Sequence, residues 1–479
     1  MDPFAPAWRL AELTRSGQIG CLELLDAYLA RVERLNAPLN AVILQDADRA
    51  RDRARALDSA GPDRAGPLHG VPMTVKESFD YQGHPTTWGH IFRCEHRAAG
   101  DALAVRRIEA AGANVFGKTN VPVSLGDWQS YNPVYGSTNN PWSFGCTPGG
   151  SSGGGAAALA AGLCGLEMGS DIGGSIRVPA HFCGVFGHKP TWGLCSPRGH
   201  TMFEMGAPVD ISVIGPLARS ARDLGLALDA IIGPDPDETA QTFVLPPART
   251  TRAAELRVAV WAEEPGQATS AETVAAVEAA GRRLESLGAR VDFSARPAFD
   301  TTEAFLLYVK LLDAALSARL PEHALERRRA GRAALAADDM SVSAVTLRAT
   351  DMTHREWLAL NSQRTRMKLA WAALFADFDV VLCPAFAVPA FAHLQQGEMW
   401  ERRIPVDGEM VAYNDLLFWP GISCAFHLPA TVVPAGMSRE GLPIGAQIVG
   451  PLFEDLTTIA VAEMLEAEGF GFLAPGGFK

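Results

Sequence analysis

The chain reads as an α/β protein in which a β-sheet is covered by helices. Three observations predict that class. From about 70 to 235, short apolar runs broken by glycine and proline interleave with helical stretches at Ala102–Ala111 and Gly155–Leu163. Next, Leu256-Arg-Val-Ala-Val-Trp261, a helix over 271–287 stopped by Gly288, and Arg290-Val-Asp-Phe293 together spell a βαβ unit. Last, the mostly helical stretch 301–376 is followed by Phe378-Asp-Val-Val-Leu-Cys383 and Ala430-Thr-Val-Val-Pro434, which read as buried strands.

Ahead of these elements, residues 7–58 carry Ala11, Leu13, Leu24, Leu25, Tyr28, Leu29 and Val32 at helical spacing with charge on the opposite side, which predicts a helical arm packed on the core. Gly61-Pro-Asp-Arg-Ala-Gly-Pro67 punctuates its end, and Gly233-Pro-Asp-Pro-Asp-Glu-Thr239 marks a second loop. A length of 479 residues allows two or three domains or one large body. No internal repeat is present, so the expected organisation is one domain: a helical arm over 1–60, a core over 65–235, and a C-terminal half over 255–479 that completes the same sheet.

Hydrophobic residues at 48% and charged residues at 20% place the chain among ordinary globular proteins rather than disordered ones. A formal net charge of -12 argues against nucleic acid as a partner, because that would need a clustered basic face. The densest basic run, Glu326-Arg-Arg-Arg-Ala-Gly-Arg332, reads as the solvated side of a helix. Eight cysteines occur with no C-x-x-C and no regular spacing, which suits free thiols in a reducing compartment. The N-terminus has no basic segment followed by an apolar one, and no run is apolar for the ~18 residues of a span. The expectation is a cytoplasmic protein with no membrane partner.

Two spellings mislead. Gly112-Ala-Asn-Val-Phe-Gly-Lys118-Thr119 matches the phosphate-loop pattern, yet a helix precedes it and Val121-Pro122-Val123 follows the lysine, the reverse of the order that aims amides at phosphate. Gly149-Gly-Ser151-Ser-Gly-Gly154 fits the G-x-S-x-G elbow in two registers, but such an elbow follows a strand directly, and Asn140–Pro148 reads as loop. Among eleven histidines, His84/His90 and His181/His188 lack carboxylates at ligand spacing, so no metal is expected.

Three segments carry the chemistry. Gly70-Val-Pro-Met-Thr-Val-Lys76 delivers a lysine on an apolar run; if buried, it loses its proton readily and becomes a base. Gly149–Gly154 offers two serines on a glycine ribbon. Gly169-Ser-Asp-Ile-Gly-Gly-Ser175-Ile-Arg-Val-Pro179 lets the amides of Ile172, Gly173 and Gly174 point into one cavity, which an oxyanion requires.

Together these segments resemble the amidase signature family of serine hydrolases. The likeness extends from Leu35-Asn-Ala-Pro-Leu-Asn-Ala41 through Gly117-Lys-Thr-Asn-Val-Pro122 and Gly136-Ser-Thr-Asn-Asn-Pro141 to Leu442-Pro-Ile-Gly-Ala-Gln-Ile-Val-Gly450. The block Gly149–Gly184, followed by Lys189-Pro-Thr191, is its most specific part. The resemblance implies one large mixed sheet with helices on both faces, no cofactor, a small-molecule amide as substrate, and a monomer or homodimer. It also implies a Ser-Ser-Lys triad whose bridging serine lies 24 residues before the nucleophile and next to a cis peptide bond. Because 175 − 151 = 24, Ser175 matches the nucleophile, Ser151 the bridge and Lys76 the base. Ser152, Asp171 and Arg177 are expected to hold the loops around them.

In relatives of this kind the segment after Gly-Lys-Thr-Asn lines the acyl pocket, which here implicates Leu125, Gly126, Asp127 and Trp128 and favours an apolar or aryl acyl group. The usual Asn-x-x-Gly-x-Pro is replaced by Ser423-Cys-Ala-Phe-His427-Leu-Pro429, so Phe426 and His427 are expected at the pocket in place of a small residue. The expected activity is hydrolysis of a small carboxamide or anilide, with carbamates and esters open to the same chemistry. The alternatives are the glutaminase-type amidase subunit of a glutamyl-tRNA amidotransferase and a catalytically silent binding protein.

Overall fold

The computed structural model describes residues 2–61, 66–202, 207–238, 240–318 and 320–479. Most of the punctuated segment Gly61–Pro67 lies outside the described residues. Helices α1 (Ala7–Arg15), α2 (Cys21–Leu39) and α3 (Ala47–Ala60) form the arm. Ala11, Leu24, Leu25, Tyr28, Leu29 and Val32 are buried, as the periodicity predicts, whereas Leu13 is only half-buried. The arm is docked by Asp223, whose carboxylate accepts the Ala7 and Trp8 amides at 2.8 and 2.7 Å and so satisfies the open N-terminus of α1.

Eleven strands form one sheet: β1 (Val42–Gln45), β2 (Pro72–Lys76), β3 (Asn114–Thr119), β4 (Leu166–Asp171), β5 (Phe186–Lys189), β6 (Val213–Ala218), β7 (Arg257–Val260), β8 (Arg290–Asp292), β9 (Val380–Pro384), β10 (Ala430–Met437) and β11 (Pro443–Val449). Their spatial order is β1-β3-β2-β4-β6-β5-β10-β11-β9-β7-β8. The sheet is mixed. β2 runs parallel to β3 and β4, and β7 parallel to β8 and β9, while the strands from β4 through β9 pair antiparallel. Both chain halves contribute, and the pair β5/β10 joins them.

The remaining helices are α4 (Leu103–Ala110), α5 (Gly153–Ala160), α6 (Arg177–Cys183), α7 (Ala221–Ile231), α8 (Ala271–Ser286), α9 (Thr301–Ser317), α10 (Glu322–Ala333), α11 (Val342–Ala349), α12 (His354–Asp377), α13 (Phe418–Ala425) and α14 (Asp455–Ala467). The basic run sits on α10, which buries no residue. Strand side chains alternate between two faces. Met73, Val75, Leu166, Met168, Ile214, Leu382 and Ile448 join one apolar cluster with α4, α7, α8 and α14. Their neighbours point the other way, toward α5, α6 and the aromatic cluster of α9, α12 and α13. That second face is where Thr74, Lys76, Glu167 and Asp171 fall.

Burial of the strands explains their composition. β2, β3, β4 and β6 are buried over their whole length, so any polar group on them must find a partner inside the protein. Among the described residues no helix is long and apolar enough to cross a membrane, and all eight cysteines are free.

Candidate active site

Lys76 ends β2 and is completely buried. Its Nζ lies 2.7 Å from Ser151 Oγ, 2.9 Å from Ser170 Oγ and 3.3 Å from the Ser170 carbonyl oxygen. As an ammonium it donates to all three; as a free amine its lone pair accepts the Ser151 proton. Burial in the sheet pulls its pKa down to about 7 against the upward pull of Asp171 and Glu167. Burial therefore makes the neutral, basic form of this lysine far more accessible than that of a solvated one.

The ribbon that carries Ser151 is shaped by close approach. A Cβ on Gly150 would stand 2.3 Å from the Asp127 carbonyl oxygen, and Gly149 adopts φ +89° against Pro179. Ser130 staples the ribbon, its Oγ donating to Gly149 O at 3.0 Å and accepting the Gly153 amide at 3.1 Å. The Gly150–Ser151 peptide is cis. No strand precedes the ribbon, and α5 begins directly after Ser152. The Ser152 amide donates to the Ser175 carbonyl oxygen at 3.0 Å, and Ser152 Oγ touches the backbone of Ser170. The second serine thus ties the ribbon to the neighbouring loop.

Ser175 lies between β4 and α6 in a loop organised by Asp171. That carboxylate accepts the amides of Gly174 and Ile176 at 2.8 and 3.0 Å and two guanidinium nitrogens of Arg177 at 3.0 and 2.8 Å. Arg177 in turn donates to Ser423 Oγ at 2.7 Å and to Gln447 Oε1. Both charges are fully buried. The guanidinium and the amides hold the Asp171 carboxyl far below the usual range, and the carboxylate raises Arg177 above its own. Asp171 and Arg177 therefore tie this loop to Ser423 on α13 and Gln447 on β11.

One oxyanion expectation changes. The Gly174 amide is already engaged by Asp171 Oδ1, so the donors left for an oxyanion are Ile172 and Gly173. Tyr308 Oη donates to Ile172 O at 3.0 Å, and Trp128 Nε1 donates to Gly173 O at 2.8 Å. In a trans peptide the amide points opposite to the carbonyl, so the Tyr308 contact fixes where the Gly173 N–H aims. Sequence reasoning did not single out Tyr308, since a tyrosine on α9 carries no local sign of a contact 136 positions away.

Ser151, Ser170, Asp171, Ile172 and Ser175 open onto one cleft, walled by Trp88, Leu125, Pro197, Val209 and Leu316 with Ser124, His200, Thr201 and Ser212 between them. Of the expected pocket residues, Leu125 is in place. Gly126 is absent from the wall among the described residues. Asp127 is instead buried against Arg402 at 2.6 Å and the Tyr413 hydroxyl at 2.7 Å, since a carboxylate under an apolar wall needs a cation. Trp128 packs on Phe386 and Tyr413 and serves the loop through its N–H. Phe426 is wholly buried between Phe299 and Trp371 and belongs to the core. His427 stacks on Trp192 and meets Asp210 at 3.0 Å and Arg364 at 3.1 Å behind the cleft wall. Phe426 fills the core and the partly buried His427 joins a polar cluster, and neither is among the described residues that line the cleft.

The histidines find partners that spacing hides: His84 meets Asp46 at 2.6 Å and His188 meets Asp455 at 3.2 Å. The phosphate-loop spelling runs through β3, and Lys118 donates to Pro85 O at 2.6 Å and Thr86 Oγ1 at 3.1 Å inside the core.

A family model described as Amidase matches residues 23–459. The chain belongs to the amidase family. This amidase is 33% identical to a subunit of the glutamyl-tRNA(Gln) amidotransferase of Exiguobacterium sibiricum over 97% of this chain and 98% of that one. It is likewise 33% identical to the putative amidase AmiB2 of Mycobacterium tuberculosis, covering 98% and 97%. Its backbone superposes on the structure of 6-aminohexanoate cyclic dimer hydrolase complexed with substrate with a TM-score of 0.79 at 29% identity, over the full length of both chains. As an amidase it is an amide-hydrolysing enzyme on the amidase signature fold.

Proposed function

We propose that this amidase hydrolyses the C–N bond of a small carboxamide or anilide with an apolar or aryl acyl group, through an acyl-enzyme on Ser175. Lys76 is the base and Ser151 the relay. The observation that carries the reading is the 2.7 Å contact between a buried lysine and Ser151 on the cleft that Ser175 shares. Neutral Lys76 takes the Ser151 hydroxyl proton as Ser151 takes that of Ser175, and Ser175 Oγ bonds the carbonyl carbon. The oxyanion rests on the amides of Ile172 and Gly173. The proton returns through Ser151 to the leaving nitrogen, the C–N bond breaks, and water cleaves the acyl-enzyme by the same relay. Trp88, Leu125, Ile172, Val209 and Leu316 support the apolar preference, which extends to carbamates and esters of similar shape.

A fluorophosphonate should form an adduct on the peptide containing Ser175; an adduct on Ser151 or Ser152 overturns the assignment. A panel of amides, anilides, carbamates and esters then ranks the acyl groups. The second reading, one chain of an amidotransferase complex, is favoured by the likeness to the Exiguobacterium sibiricum glutamyl-tRNA(Gln) amidotransferase chain. It predicts ammonia release from glutamine and partner chains that copurify. The mostly apolar wall speaks against a glutamine side chain.

A further inference from the structure

On the strand beside that of Lys76 stands a second buried ionisable group that the relay above does not use. Glu167 on β4 pairs with Thr74 on β2 in the parallel register, and Lys76 is two residues further along β2 on the same face. Glu167 is completely buried. Among the described residues no salt bridge reaches it: Thr74 Oγ1 donates to Oε2, and Thr119 Oγ1 on β3 donates to Oε1 at 2.8 Å. The helix above is fitted to it, because a Cβ on Gly155 would lie 2.5 Å from Glu167 Cγ.

The surrounding charges are otherwise spoken for. Asp171 also faces Lys76 but is paired with Arg177. Lys189 on β5 lies beside Asp171 and Arg177. Cys164, ahead of β4, neighbours Glu167 and lies beside Arg219. Lys118, Glu77 and Asp80 form their own group around β3 and the end of β2. Helix α5, Gly153-Gly-Gly-Ala-Ala-Ala-Leu-Ala160, brings no titratable side chain.

We propose that Glu167 is a counter-charge of Lys76, a positioning residue whose carboxylate, on the neighbouring strand and the same face of the sheet, offsets the ammonium formed when Lys76 takes the serine proton. The physical need is plain. Moving a proton onto Lys76 creates a positive charge in a dry sheet, and an unpaired ammonium there is costly. Burial lowers Lys76 and raises Glu167, and the opposite charge of each favours the charged form of the other, so the two titrations are coupled. The reactive state is the free amine beside the carboxylate. Proton arrival then leaves an ammonium and a carboxylate, of zero net charge together, on adjacent strands of the same buried face.

This rests on the Ser175 relay, and the test separates the two. The rate of fluorophosphonate labelling of full-length protein is followed against pH, with the adduct mapped. In the unaltered enzyme the rate rises with a limb between about 7 and 8. Glu167→Gln keeps the shape and removes the charge: the limb moves to lower pH by about one unit, and the plateau falls roughly tenfold. Thr119→Val does the opposite, because a carboxylate that loses a donor keeps its proton to higher pH, and the limb moves alkaline. A residue with only a packing role would not move the limb in opposite directions. If the adduct maps to Ser175 while neither variant shifts the limb, or both shift it the same way, the counter-charge is wrong and the relay stands. If Ser175 is never labelled, the relay itself falls. Should Glu167→Gln fail to fold, an unmoved limb in Thr119→Val overturns the proposal alone.

Discussion

Two neighbouring regions of this sheet are each built around a fully buried lysine, and they do different things. Lys76 and Lys118 sit on adjacent strands, and burial lowers both, to about 7 and about 8. Lys118 spends its hydrogen bonds on Pro85 O and Thr86, with Glu77 and Asp80 as its nearby charges. Glu77 meanwhile accepts the Trp88 amide at 2.9 Å, so this group holds the segment that carries one cleft wall. Lys76 instead meets two hydroxyls, those of Ser151 and Ser170, on the cleft that Ser175 shares. A depressed pKa alone therefore does not mark a base. A proton path to a reacting atom does.

The largest expected effect tests that contrast directly. Lys76→Met should cut turnover and Ser175 labelling on the order of a thousandfold while the fold survives; a variant near the original rate would remove Lys76 from the chemistry. In the unaltered enzyme kcat/KM should fall about tenfold per pH unit as pH drops below about 7, because the lysine must be free of its proton, and level off above the limb. A rate independent of pH from 6 to 9 contradicts the neutral base.

Next comes Asp171→Asn, which leaves Arg177 buried without its counter-ion and should cost about 3 kcal/mol of stability, read from urea midpoints, together with most activity. Lys118→Met should do the reverse of Lys76→Met, lowering stability by about 2 kcal/mol and leaving the pH limb where it was. A shifted limb would mean that the two lysines communicate. The smallest effect is expected from Trp128→Phe, which keeps the ring on Phe386 and deletes the bond to Gly173 O: about 1 kcal/mol, seen as a several-fold lower kcat with KM held. An unchanged KM in Phe426→Leu beside an altered one in Leu125→Ala would confirm which of the two touches substrate.

Legibility followed the range of the interaction. The βαβ unit at 257–292, the helices of 301–377 and the strands at 380–384 and 430–437 were readable because burial imposes a period on nearby residues. The two glycine-rich segments were readable for a related reason: Gly149, Gly150 and Gly174 stand where a positive φ or a close backbone contact excludes a side chain. The pocket was not. Asp127, Trp128, Phe426 and His427 follow the expected positions in the chain, yet each turns to a partner far away in sequence, Arg402, Gly173, Trp371 and Asp210. Cleft residues such as Trp88, Pro197, Val209 and Leu316 come from four loops and helix ends with no common pattern.

By itself, then, the sequence determined the class of fold, the helical arm and the presence of a lysine and serines in segments shaped for backbone contact, because periodicity and glycine placement are local consequences of burial and sterics. The tertiary structure alone decided which lysine meets a hydroxyl on the cleft, which amides remain free of Asp171, which side chains wall the cleft, and that Glu167 lies on the strand beside that of Lys76. Those facts depend on which strands become neighbours in the sheet. That pairing is set by the summed burial of the whole chain, and no short stretch records it.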